Sequence, residues 1–166
     1  MATKTRHETT LTLPSDREIL MTRKFDAPRE IVWEAITDPD LIPKWWGFRR
    51  DKTEVKEMDV RPGGKWQFIT DTSGGEKVDF HGEYREVVAP QKLVYTFLVG
   101  DMPPGSGFVE ITLVEQDGVT ELRDRGVFSS REERDAVIAT GMEAGARETY
   151  ERLAELLAEL VATRTA

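Results

Sequence analysis

Residues 25–47 read FDAPREIVWEAITDPDLIPKWWG, and the rest of the chain is arranged around this stretch. It joins a strand, Ile19 to Phe25, to two short helices and closes on paired tryptophans. Pro28 has a φ preset for a first helical turn and lacks the N–H that would go unpaired there, so a helix is expected from about that residue. Ile31, Val32, Ala35 and Ile36 recur at helical spacing and give one apolar stripe, with Arg29, Glu30 and Glu34 on the wet side. Thr37-Asp38-Pro39 stops this helix, because a residue before proline is pushed out of the helical region, and Asp38 can cap a second one. The second helix carries Leu41, Ile42, Trp45 and Trp46 and ends at Gly47.

Upstream, residues 1–16 are polar, and Leu11 and Leu13 alternate with threonines. The stretch reads as a flexible N-terminal arm, with a short extra edge strand as the alternative. Downstream, the chain reads as strands. Val55 is out of phase with Met58 and Val60, which asks for a bulge between them. Trp66, Phe68 and Thr70 share one face of the next strand. Phe80, Gly82 and Tyr84 share a face of the longest, Val78 to Val88, and Leu93, Tyr95, Phe97 and Val99 continue the row on its neighbour. The loop DMPPGSG at 101–107 carries Met102 where it could close over a cavity mouth. Val109, Ile111 and Leu113 alternate in one strand, and Leu122, Asp124, Gly126 and Phe128 in the last. Ser130 with Glu133 is a capping box, and no proline follows it, so one long helix is expected to the end. Ile138, Met142, Gly145, Thr149, Leu153, Leu156 and Leu160 form its stripe. Its first half is small and its second leucine-rich, so the helix can seal one end of a sheet and leave space at the other.

Composition sets outer limits. A chain of 166 residues with 39% hydrophobic and 33% charged residues makes one core and one domain, taken as residues 17–163. A net charge of -8 disfavours a nucleic-acid partner, since phosphate binding needs a basic surface. No apolar run approaches the about 18 residues of a membrane span, and no signal-peptide core is present, so a cytoplasmic location is the default. Without cysteine, disulfides, thiolate metal sites and cysteine nucleophiles are excluded.

Beyond the opening stretch, Asp59-Val60-Arg61-Pro62-Gly63-Gly64-Lys65-Trp66, Gly82-Glu83-Tyr84 and Lys92-Leu93-Val94-Tyr95-Thr96-Phe97 follow in order. Together these motifs resemble the family related to the C-terminal domain of the activator of Hsp90 ATPase, within the START-like, Bet v 1-like (SRPBCC) superfamily. The resemblance implies an α+β helix-grip fold: a curved seven-stranded antiparallel sheet wrapped around a long C-terminal helix, with two short helices after strand one. That superfamily hosts lipid carriers, cyclases, antibiotic-sequestering proteins and co-chaperones on one scaffold, so fold alone does not give function.

The candidate site is the row of bulky side chains on one sheet face, Trp66, Phe68, Phe80, Tyr84, Tyr95, Phe97 and Phe128, opposite Met142, Gly145 and Thr149 on the last helix. A close-packed core is the plain alternative, because a curved sheet needs large side chains to fill its concavity. Trp45 is read as packed and Trp46 as lining the pocket. Asp124 falls on the inner face by alternation, where an unpartnered carboxylate is costly. Either it binds ligand or moves protons, or the register shifts by one and it is a surface charge beside Arg123 and Arg125, which is the simpler reading. His81 faces outward and His7 lies in the arm, so no metal site is expected, and no cofactor. Ser73, Ser106, Ser129 and Ser130 read as turn or cap residues, not nucleophiles.

The function expected is binding of a hydrophobic or amphipathic small molecule between sheet and helix, with Tyr84, Tyr95, Thr149 and the Trp46 indole orienting its polar end. Two rivals remain. The first is a protein partner bound as a co-chaperone would bind it, weakened because only about fifteen residues precede the fold. The second is a cyclase or hydrolase using Asp124 or a tyrosine, which an inward-facing carboxylate with a shifted pKa would favour.

Overall fold

A computed structural model of the chain describes residues 7–103, 105 and 107–165. The element order is β1 (Thr10–Thr12), β2 (Glu18–Phe25), α1 (Arg29–Thr37), a 3₁₀ turn (Ile42–Lys44), β3 (Lys52–Met58), β4 (Lys65–Asp71), β5 (Lys77–Val88), β6 (Lys92–Tyr95), β7 (Leu98–Val99), β8 (Phe108–Gln116), β9 (Val119–Val127), α2 (Arg131–Ala139) and α3 (Met142–Thr165). The strands form one antiparallel sheet in the order β1-β2-β9-β8-β6-β5-β4-β3, with β7 on β5. Long antiparallel sheet, early helices and C-terminal helix make the expected α+β helix-grip arrangement.

Local rules place most of these elements. Pro28 caps α1 with its carbonyl, accepting from the N–H groups of Ile31 and Val32 at 3.1 and 3.2 Å. The second early helix is only the 3₁₀ turn, and Gly47 ends the segment at φ +83°. The phase slip in β3 is a register shift between Val55 and Glu57 against β4. Ser130 caps α2 by accepting from Glu133 N at 3.1 Å.

Three readings are corrected. The nine strands exceed the expected seven because Thr10–Thr12 pairs with β2 and because the row from Leu93 to Val99 breaks. The edge-strand alternative is thus the one found at residues 10–12; residues 1–6 of the arm lie outside the described residues, as do residues 104 and 106 of the 101–107 loop, whose Met102 is exposed. Secondly, Val99 does not join the inward row and is exposed. β6 pairs with the Tyr84 end of β5 and β7 with the Phe80 end, and Thr96 mends the gap. Its N–H donates to Glu83 O at 2.9 Å, its hydroxyl accepts from Glu83 N at 2.8 Å, and its carbonyl accepts from the Trp66 indole at 3.1 Å. Finally, the long C-terminal helix is two helices. Gly141, at φ +80°, ends α2 after Thr140 and lets α3 start afresh at Met142.

The sealed end of the core lies where α1 and the second half of α3 meet the sheet: Leu153 and Leu157 are 0% and 1% exposed, and Phe25, Val32, Ile42 and Leu122 are equally dry. Thr120 ties this end to the start of α1, its hydroxyl donating to Ala27 O at 2.7 Å. The buried Arg23 pairs with Glu151 of α3 at 3.1 Å and lies over the Phe25 ring.

The bend between β5 and the β6–β7 break depends on Gly82. A Cβ there would lie 1.9 Å from the Thr96 carbonyl oxygen and 2.6 Å from the Trp66 indole nitrogen, and backbone cannot yield by that much. Gly82→Ala is therefore expected to lower unfolding stability by at least about 2 kcal/mol in chemical denaturation. An unchanged midpoint would show that the approach is not tight.

Candidate functional site

The inner face carries a gradient of burial. Along β9, Leu122 is buried whereas Asp124, Gly126 and Phe128 are half-buried; along β8, Leu113 and Ile111 are buried and Val109 half-buried. On α3, Leu157, Leu153 and Tyr150 are buried while Ala146 and Met142 are half-buried. The interior therefore loosens toward the first turns of α3, the end where its side chains are small.

The aromatic row is brought together, around Trp46. Its ring lies 4.9 Å from Phe68, 5.8 Å from Phe80, 6.1 Å from Trp66 and 6.3 Å from Phe97 by centroid. These are edge contacts save the stacked Phe97 pair, the geometry aromatic rings favour. Trp45 is buried with its indole donating to Ala35 O at 2.9 Å, so one tryptophan anchors α1 and the other fills the sheet's concavity. The irregular segment holding Trp46 is clamped to α3. Arg152 donates to the carbonyls of Trp46, Gly47 and Phe48 at 3.0, 2.9 and 3.2 Å and to Lys44 O at 3.1 Å. Arg49 reaches Glu155 on the same helix, and its N–H reaches Glu148 at 2.7 Å.

Beside the aromatic cluster lies a polar one. The pleat of β9 holds Asp124 inward, opposite Met21 of β2 and Ile111 of β8. The Tyr150 hydroxyl of α3 donates to Asp124 Oδ2 at 2.5 Å. Tyr95 follows, its ring 6.2 Å from that of Tyr84 and 5.6 Å from that of Trp66. Among the described residues the hydroxyls of Tyr84 and Tyr95 find no hydrogen-bond partner. Burial pushes the Asp124 carboxyl up to about 6 against the Tyr150 hydrogen bond, which pulls it down. Burial, and then the nearby Asp124 charge, raise Tyr95 and Tyr150 well above the ordinary tyrosine value. Burial and the Asp59 charge raise Tyr84.

Asp124 is thus not a surface charge, and no register shift occurs in β9. Gly145 does not look into the aromatic row: a Cβ there would meet the Phe48 ring at 3.4 Å, because the buried face of α3 runs through Tyr150, Leu153 and Leu157, about one residue round from the Gly145–Thr149 stripe. Thr149 is half-buried. Tyr150, Phe48 and Arg152 escaped the sequence reading. The first was detectable, since Ala146, Tyr150, Leu153 and Leu157 keep helical spacing as well as the chosen stripe. An open cleft of about 420 Å³ lies at the β1 edge of the concave side, between Leu11 of β1, which sits opposite the buried Met21, Ile138 of α2 and Gly141, Met142 and Arg147. Of the expected lining only Met142 borders it. No group of three or more metal-ligating side chains converges among the described residues, and no described helix is long and apolar enough to cross a membrane.

A curved antiparallel sheet gripping a C-terminal helix defines a helix-grip domain. The chain belongs to the family described as activator of Hsp90 ATPase homolog 1-like protein, matched over residues 26–158, a family that suggests a ligand-binding or co-chaperone-like domain. It is similar to a crystal structure of a protein from Rhodobacter sphaeroides, with 26% identity over 92% of this chain and 99% of that one and a TM-score of 0.83. A protein from Mycobacterium smegmatis has 25% identity over 90% and 96% with a TM-score of 0.81. In fold alone it is similar to the AHSA1 protein of Silicibacter pomeroyi, at 19% identity over 88% and 99% with a TM-score of 0.69. No curated protein matches the chain.

The raised carboxyl has a consequence for stability. Between its ordinary value of 3.8 and about 6 the folded state keeps a proton that the unfolded chain has lost, so this group's contribution falls as pH rises through that window and is flat above it. Asp124→Asn cannot ionise. Its stability relative to wild type should therefore grow by roughly 1–3 kcal/mol from about pH 4 to about pH 7 in urea titrations. A difference independent of pH would place an ordinary carboxyl at Asp124.

Proposed function

We propose that the domain binds a hydrophobic or amphipathic small molecule between the sheet and the first half of α3, with the Trp46 segment as one wall and the Asp124–Tyr150–Tyr95 cluster meeting the polar end. The observation that carries this reading is that polar cluster on a concave, half-buried face. A domain with only a core to fill would do better with apolar side chains there, since a carboxyl and phenols turned inward must each be hydrogen-bonded or wetted. The burial gradient along β8, β9 and α3 supports the same end of the fold as the entrance. Apolar walls with a few convergent polar groups are the usual composition of small-molecule sites.

The inward carboxyl with a raised pKa also supports a second reading, acid–base chemistry at Asp124 on a bound molecule, because a group titrating near neutrality can both give and take a proton. The two readings share one site and the binding step comes first.

Uptake of a neutral fluorescent dye such as Nile red tests that step. Wild type should bind it with blue-shifted emission. Ala146→Phe, one turn from Tyr150 on the half-buried face, should lose at least about tenfold in affinity with its melting temperature little changed. A wild type that takes up no dye, together with an Ala146→Phe protein destabilised by overpacking, would decide for a packed core.

A further inference from the structure

We propose that the ligand's polar end is a cation: the site takes a hydrophobic molecule bearing a protonated amine, and Asp124 is the group that receives it. This inference rests on the small-molecule reading and narrows it to one chemical class.

The argument begins with the neighbours that Asp124 lacks. Tyr150 donates to Oδ2; among the described residues nothing donates to Oδ1, and no Arg, Lys or His side chain pairs with the carboxyl. On β9 itself Arg123 and Arg125 alternate to the outer face, where Arg123 meets Glu121 and Arg125 meets Glu18 and Glu110. On β2 the residue opposite is Met21, and the inner-face cation Arg23 sits opposite Leu122 and pairs with Glu151. β8 places Ile111 opposite, β6 contributes Tyr95, with Tyr84 of β5 behind it, and α3 presents Tyr150, while its Arg147 is turned to Thr9 O and Glu143. Among the described residues the side chains that interact with Asp124 are therefore the phenols Tyr150 and Tyr95, and no cation pairs with it.

Such a site discriminates by charge. A fatty acid or phosphate ester would bring a second anion against the carboxylate with no basic side chain to offset it, whereas an ammonium would supply the missing donor and the missing charge together. The rings around it suit the same ligand. Tyr95 stands beside the carboxyl, an aromatic ring of the kind that attracts a cation, and the adjoining rings of Trp66 and Tyr84 give the same end an apolar wall for a hydrocarbon tail. Burial, which holds the carboxyl near 6, also sets the pH response. An alkylamine stays protonated to about pH 10, so its affinity should follow ionisation of Asp124.

Calorimetric titration with decylammonium, decanol and decanoate, in about 0.15 M salt to damp long-range attraction, separates the outcomes. At about pH 7.5 the amine should bind at least about tenfold tighter than the alcohol, with decanoate weakest, and the gap should shrink below about threefold at about pH 5. Asp124→Asn should bring amine and alcohol within about threefold of each other, while Glu57→Gln, an exposed acid on β3, should keep the preference. Equal binding of amine and alcohol by wild type overturns the cationic ligand and leaves the small-molecule reading standing. A preference that survives Asp124→Asn also overturns it, by assigning the effect to the overall charge of -8. Failure of all three to bind removes both readings.

Discussion

A carboxyl that the pleat of a strand turns onto the concave face of a sheet has to be hydrogen-bonded, protonated or wetted, because a bare buried charge is not sustained. At Asp124 the first condition is met on one oxygen only, by Tyr150, and the arrangement around it follows. α3 must bring a tyrosine, not a leucine, to the level of β9. The helix must change character there, from Leu153 and Leu157 below to Ala146 and Met142 above. The inner face accordingly has a dry end that holds the fold together and a more exposed end that holds polar groups.

Trp46 governs the boundary between these ends. Its ring fills the concavity beside Phe68, Phe80 and Phe97, so the aromatic row expected to line a cavity is packed around a side chain of the protein itself. That side chain is carried on a short irregular segment, not on a strand. Its carbonyls are gathered by one guanidinium, Arg152.

Much of this was legible in the sequence where a local rule acts alone. Pro28, Ser130 and the phase slip at Val55 each carry a signal that tertiary context has no reason to override, and helix start, capping box and bulge stand where those residues put them. The concave row was legible through alternation as far as Tyr95. It failed at Val99 because Gly82 and Thr96 let the partner strand break, a cross-strand event with no mark in either strand's own pattern. The helix break at Gly141 was hidden among small residues that read as a lining. On α3 an error of one residue, Thr149 for Tyr150, exchanged a half-buried threonine for the partner of Asp124. At Asp124 the alternation held, although a one-residue slip, common on short strands, made the surface reading look simpler; a hydrogen bond from a residue 26 positions away is what no local pattern discloses.

Binding inside the grip is the central claim, and chemical-shift mapping with decanol addresses it most directly. The account predicts that the largest perturbations fall on Asp124, Tyr150, Tyr95, Phe97, Phe128 and Ala146, from strands and helix that face one another across the interior. Perturbations confined to Leu11, Ile138 and Arg147 around the cleft at the β1 edge, or none at saturating ligand, would contradict it.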